Sequence, residues 1–270
     1  MNPSQGQPFG GLRSGRLLEG RTVLISGAGR ARGIGKATAR LCVEHGARVA
    51  MLDLDQDEVR LAAADVAEGR DVAIGIRCDV TDRSSCEQAV AQALAWGAAQ
   101  GRIDVLINNA GLTQKRKVAE ITDADYALVT DVVLRGTILL SQAVLPTMRA
   151  QGDGSIVSVS SMSAQQGGGV FGGPHYCAAK AGVLGFTRSL ALELGPEGIR
   201  ANAVTPGLII TDFSRTNRSD EEKDASAQGW PMRRAGRPVE LASACLFLAS
   251  DLSSYVTGIT LDVNGGAYMR

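Results

Sequence analysis

Short runs of apolar residues alternate along the chain with longer amphipathic stretches. The runs at 22–26, 48–52, 72–77, 105–107, 155–160, 201–204 and 260–263 are rich in Val, Ile and Leu and show no in–out alternation. Strands covered on both faces have this pattern, because neither face meets water, and they belong to parallel sheets. Helical periodicity predicts helices over 33–45, 56–68, 84–96, 123–149, 176–194 and 238–249, with Asp57, Ser84 and Asp123 as starting residues. Strand and helix in strict alternation give right-handed crossovers and a doubly wound α/β fold built on one parallel sheet in a single domain. In such sheets ligands lie beyond the carboxyl ends of the strands, so the residues that follow each run are where chemistry is expected.

Two segments depart from the alternation. Residues 1–19 are polar and glycine-rich, without an apolar secretory core, and are expected to form a flexible tail ahead of a domain over 20–270. Residues 211–236 are polar and charged, with Trp230, Pro231 and Met232 as the bulky apolar cluster, and read as a lid-like insertion.

Composition narrows the function. Lys+Arg and Asp+Glu are equal at 28 each among 270 residues, which gives no electrostatic reason to expect nucleic acid or an anionic membrane as partner. No uninterrupted apolar run approaches the ~20 residues of a membrane helix. Five unpaired-looking cysteines (Cys42, Cys78, Cys86, Cys177, Cys245) fit reduced thiols in a cytoplasmic protein, and two histidines make a zinc site, or any metal site, unexpected.

The first predicted strand runs into Gly27-Ala-Gly29-Arg-Ala-Arg32-Gly33-Ile34-Gly35, which opens the first helix. Glycines admit a pyrophosphate to the backbone, and the free N–H groups and dipole of the helix start stabilise its charge. Asp53 ends the second strand, where a carboxylate accepts the ribose hydroxyls of NAD and repels a 2′-phosphate. Arg30 and Arg32 pull the other way, since a guanidinium pairs with that phosphate. NAD is therefore favoured over NADP.

A set of segments in order resembles the short-chain dehydrogenase/reductase family. They are the glycine turn, Asp79-Val80, Asn108-Asn109-Ala110-Gly111, Ser160-Ser161, Tyr176-Cys-Ala-Ala-Lys180 and Pro206-Gly207-Leu-Ile209-Ile-Thr211, each after its expected strand, with DVNGGAYMR closing the chain. The resemblance covers residues 18–270 and implies a Rossmann-type fold. It implies that Asp79 and Val80 flank the adenine, that Asn109, Ala110 and Gly111 line the adenine and ribose side, and that Pro206, Gly207, Ile209 and Thr211 hold the nicotinamide. It further implies Ser161, Tyr176 and Lys180 as the catalytic residues.

Tyr176 and Lys180 lie four apart and share a helix face. An ammonium beside a phenol favours the phenolate and lowers its pKa, giving a proton donor and acceptor for a carbonyl/alcohol couple. Ser161 can hydrogen-bond the substrate oxygen, with Ser160 and Ser163 as fallback candidates, while hydride passes between substrate carbon and nicotinamide. Gln165, Gln166 and His175 suggest a polar pocket and a hydroxylated substrate: a sugar, polyol or hydroxy acid.

Two departures from the family pattern stand out. Val133 occupies a position where family members usually carry Asn, which helps hold a water in a proton relay. The turn from Gly27 to Gly33 is two residues longer than usual, and the register Gly29–Gly33–Gly35 restores the common spacing, so which glycine meets the phosphate stays open. The alternatives to an NAD-dependent alcohol dehydrogenase are an NADP-dependent 3-oxoacyl-carrier-protein reductase and a catalytically weak nucleotide-binding member. The two long helices over 123–149 and 176–194 are rich in Ala and Leu, and the resemblance implies a homotetramer, or a dimer, assembled through them.

Overall fold

In the computed structural model, which describes residues 15–168, 172–213 and 219–269, strand follows helix in the expected order. The first half runs β1 (Thr22–Ser26), α1 (Ile34–Glu44), β2 (Arg48–Asp53), α2 (Gln56–Ala67), β3 (Ala73–Arg77), α3 (Arg83–Ala95) and β4 (Val105–Asn108). Then come α4 (Asp123–Thr130), a π-helical turn (Asp131–Arg135), α5 (Gly136–Gln151), β5 (Gly154–Val159), α6 (Ser163–Gln166) and α7 (Pro174–Leu194). The chain closes with β6 (Ile199–Pro206), α8 (Asp220–Ser226), α9 (Pro238–Ala249) and β7 (Thr260–Val263). All strand pairs are parallel, in the order β3-β2-β1-β4-β5-β6-β7. The order reverses between β1 and β4, which opens the crevice where such sheets bind ligands.

Both faces of the sheet are apolar. Val23, Ile25, Met51, Val157 and Val204 meet α1, α2 and α9 on one side. Leu24, Leu52, Leu106 and Ile156 meet α3, α5 and α7 on the other. This double burial is why the strands read as continuous Val/Ile/Leu runs.

Helix starts depart from the sequence reading by one or two residues. The caps are Asp55, Asp82 and Thr122, not Asp57, Ser84 and Asp123. Asp55 accepts from the N–H groups of Asp57 and Glu58, Asp82 from Ser85, and Thr122 from Asp125 in a reciprocal capping box. The single helix expected over 123–149 contains the π turn, and Thr137 Oγ1 donates to the Val133 carbonyl at 2.8 Å within it. Uninterrupted apolar runs are short there, yet Asp123–Gln151 as a whole is long and apolar enough to cross a membrane, with mean hydropathy 1.6 in its best window. Half of that window is buried in the fold.

Most of 1–19 lies outside the described residues, but Leu18 is buried in the core and its N–H donates to the His45 carbonyl at 3.0 Å. Its apolar side chain fills a gap beside α1, so the fold begins before residue 20.

Candidate active site

The glycine turn leaves β1 at Gly27, whose φ of +65° suits glycine, and a Cβ there would stand 2.7 Å from Ala110 Cα. A Cβ on Gly35 would stand 2.5 Å from the Gly27 carbonyl, so Gly35 lets α1 pack against the turn. Gly33 caps α1 without a side-chain hydrogen bond, and the first turn of α1 holds no acid. The helices α2, α3 and α4 all have side-chain caps, which leaves α1 as the one of these four helices whose N–H groups are open to an anion. Gly29 serves a different purpose: its N–H donates to Asp53 Oδ2 at 2.8 Å. The Leu54 N–H donates to the other oxygen at 2.8 Å, so the carboxylate is fixed at the end of β2.

Across the crevice, β1 and β4 are tied together. Asn109 Nδ2 donates to the carbonyls of Ser26 (3.0 Å) and Gly27 (2.8 Å), and Ser26 Oγ accepts from the N–H groups of Asn109 and Ala110. Asn109 therefore ties the β1 and β4 ends together beside the cavity that it lines. After β3, Asp79 Oδ1 accepts from the Thr81 N–H and hydroxyl.

A cavity of about 550 Å³ runs over these ends. Gly27, Gly33, Ile34, Asp53, Asp79, Val80, Asn109, Ala110 and Gly111 line one part. Ser161, Tyr176, Lys180, Pro206, Gly207, Ile209 and Thr211 line the rest. Gly29, Gly35 and Arg32 do not line it: the glycines lie beneath the turn, and Arg32 is turned to the 211–236 segment. Arg30, given less weight in the sequence, does line it, as do Leu112, Val132, Met162, Phe213 and Trp230.

Tyr176 and Lys180 lie on the first turns of α7 and are both buried. The Ser161 hydroxyl faces the phenol and favours its ionised form. Burial pushes the phenol up to about 12, and the Ser161 contact pulls it back only in part. This corrects the expectation that Lys180 holds the phenol below its ordinary value. Lys180 Nζ instead donates to the Val159 carbonyl at 2.6 Å, and burial takes the amine itself down to about 8. Desolvation is the largest influence on both groups. Gly172, which no sequence signal singled out, backs the ring: a Cβ there would lie 2.3 Å from Tyr176 Cδ1.

Both fallback serines line the cavity. Ser160 Oγ donates to the Lys180 carbonyl at 2.8 Å, and the Ser163 N–H donates to Ser161 Oγ at 3.1 Å. Of the three residues expected to make the pocket polar, Gln166 alone lines the cavity. Gln165 Nε2 donates to Asp262 at 2.8 Å, and His175 Nε2 pairs with Gln114 Oε1 at 2.9 Å. Val133 is fully buried, packed with Val129, Tyr176, Ala179 and Val183. The segment expected to form a lid is described at 211–213 and 219–236. Trp230 both lines the cavity and packs on Leu208, Ile210 and Ala235, and Lys223 Nζ donates to the Thr211 carbonyl at 3.1 Å.

The fold and site define a nicotinamide-dependent oxidoreductase: a glycine cradle, an open helix start and a buried Ser/Tyr/Lys set at the ends of a parallel sheet. A family model described as enoyl-(acyl carrier protein) reductase matches residues 27–268. An uncharacterized short-chain type dehydrogenase/reductase from Sinorhizobium fredii is 52% identical over 251 residues, 93% of this chain and 98% of that one. An L-rhamnose 1-dehydrogenase (NAD(P)(+)) from Azotobacter vinelandii is 40% identical, covering 94% and 99%. The crystal structure of a 3-oxoacyl-[acyl-carrier protein] reductase with bound NAD from Brucella melitensis superposes with a TM-score of 0.83 at 36% identity, covering 95% of each chain. The chain belongs to the short-chain dehydrogenase/reductase family. It is an NAD(P)-dependent enzyme acting on CH–OH groups. The residues present fit such a cofactor, since the cradle is closed to any Cβ at Gly27 and the cavity volume falls in the usual ligand range of ~300–1,000 Å³.

Proposed function

We propose that the chain is an NAD-dependent oxidoreductase of a secondary alcohol and its ketone. The observation that carries the choice of NAD is Asp53, whose carboxylate lines the cavity at the end of β2 and is pinned by the Gly29 and Leu54 N–H groups. A fixed anion there accepts ribose hydroxyls and opposes a 2′-phosphate. Bound nicotinamide supplies the hydride acceptor or donor. Tyr176 takes the proton from the alcohol oxygen in oxidation and returns it to the carbonyl oxygen in reduction. Ser161 donates a hydrogen bond to the same oxygen as charge develops on it. Lys180 holds the ribose beside the ring, and Asp79, Val80 and Asn109 to Gly111 take the adenine half.

For the substrate, Gln166 is the polar contact that supports a sugar, polyol or hydroxy acid, in line with the rhamnose-oxidising relative. A second reading, an NADP-dependent 3-oxoacyl-carrier-protein reductase, is favoured by the apolar wall of Leu112, Met162, Leu208, Phe213 and Trp230. We further propose a homotetramer, because Tyr126 and Leu128 on α4 and Leu192 on α7 are exposed. Light scattering on the purified protein reads the assembly.

A panel of alcohols with NAD and with NADP, read as absorbance of the reduced cofactor, tests the main reading. Turnover of polyols or hydroxy acids with NAD supports it. Activity confined to acyl thioesters with NADPH overturns it.

A further inference from the structure

The two residues that lengthen the glycine turn have a partner. The turn bulges at Arg30-Ala31-Arg32 and closes with the Gly33 N–H donating to the Arg30 carbonyl at 3.0 Å. Asp212, at the start of the 211–236 segment, grips this bulge in three ways. Its Oδ2 accepts from the Arg32 N–H at 3.1 Å, its Oδ1 lies 3.9 Å from Arg32 Nε, and its carbonyl accepts from Arg30 Nη1 at 3.4 Å. Asp220, in the first turn of α8, pairs with the other end of the Arg32 guanidinium. The same guanidinium is chemically suited to a ribose 2′-phosphate. Here it faces out of the cavity, while Asp53 occupies the end of β2.

We propose that Asp212 and Asp220 add to the NAD preference set by Asp53, by holding Arg32 of the extended turn away from a 2′-phosphate. This rests on the reading of the chain as NAD-preferring. Asp212 meets the bulge itself at Arg30 and Arg32, so the insertion and the two acidic residues act together. The ion pairs are half-exposed, so they hold reversibly and weaken with salt.

The test is a double-mutant cycle on the full-length protein, with Kd for NADH and NADPH read by fluorescence titration. Asp212→Asn with Asp220→Asn is expected to lower the ratio Kd(NADPH)/Kd(NADH) at least threefold. In an Arg32→Met background the same pair is expected to leave the ratio within experimental error. Thermal melts on every variant separate binding changes from unfolding. An unmoved ratio in the first background, or an equal change in both, overturns the proposal. Wild-type protein that binds NADPH more tightly than NADH overturns the NAD reading instead, and the cycle still decides the role of the two aspartates.

Discussion

The Lys180 ammonium donates to the Val159 carbonyl at 2.6 Å, inside a fold that buries it almost completely. The shift of the amine from 10.5 to about 8 means that folding at pH 7 carries a cost of about 3 kcal/mol for keeping that charge. The cost is fully present below pH 8, where both states are protonated, and fades as pH rises toward 10.5. Lys180→Met should therefore abolish turnover and raise the melting temperature at pH 7. Melts of the two proteins from pH 7 to 10 check this, because the gap must narrow as pH rises. A variant that melts lower than wild type at pH 7 contradicts the argument.

The phenol gives the opposite sign. Its folded value of about 12 exceeds the ordinary 10, so it adds stability below pH 10 that is lost as pH climbs through 12. Alcohol oxidation needs the ionised phenol, so its kcat should rise steadily from pH 7 to 10 while ketone reduction does not. Ser161→Ala removes the one contact that lowers the phenol and should move the oxidation profile to higher pH. Tyr176→Phe should cost on the order of a thousandfold in kcat, near the usual value of general acid–base catalysis, with cofactor Kd changed less than about twofold. An oxidation optimum near pH 7 would go against the burial argument.

Gly172 fixes the ring from behind. Alanine there would intrude to 2.3 Å from Cδ1 and push the hydroxyl off line. Displacement by about 1 Å can cost up to about a hundredfold in rate. Gly172→Ala should lower kcat by at least about tenfold and leave cofactor affinity intact, which steady-state kinetics beside NADH titration would show.

Val133 is sealed among apolar neighbours on the π turn. Val133→Asn, which installs the residue usual in the family, should bury an unpartnered amide and destabilise by about 1–3 kcal/mol. Denaturant titration reads the loss. A variant as stable as wild type would mean that the amide finds a partner inside this cluster.

The alternation of runs carried the fold, because each strand is covered twice and its composition says so. The ends of elements were less legible. Asp55 and Asp82 look no different in sequence from their acidic neighbours, and which one caps depends on the local backbone. Asp53 was readable from its place at a strand end, and Ser161, Tyr176 and Lys180, which line the same cavity, were carried by the family resemblance. Arg32, Gln165 and His175 were not, because Asp212, Gln114 and Asp262 that draw them away lie far along the chain. Gly172 could have been found only from the ring that it touches.

Strand order also dictates a sequence of assembly. Val23 pairs with Val49 on nearby β2 and with Val105 on distant β4, so β1 gains its second neighbour only after the chain through β4 has been made. A nascent chain that has emerged through β4 owns the whole phosphate cradle and Asp53, but neither the phenol nor its wall. The cofactor half of the cavity lining is thus contiguous in the first part of the chain, and the residues of the chemistry are added by the part made later.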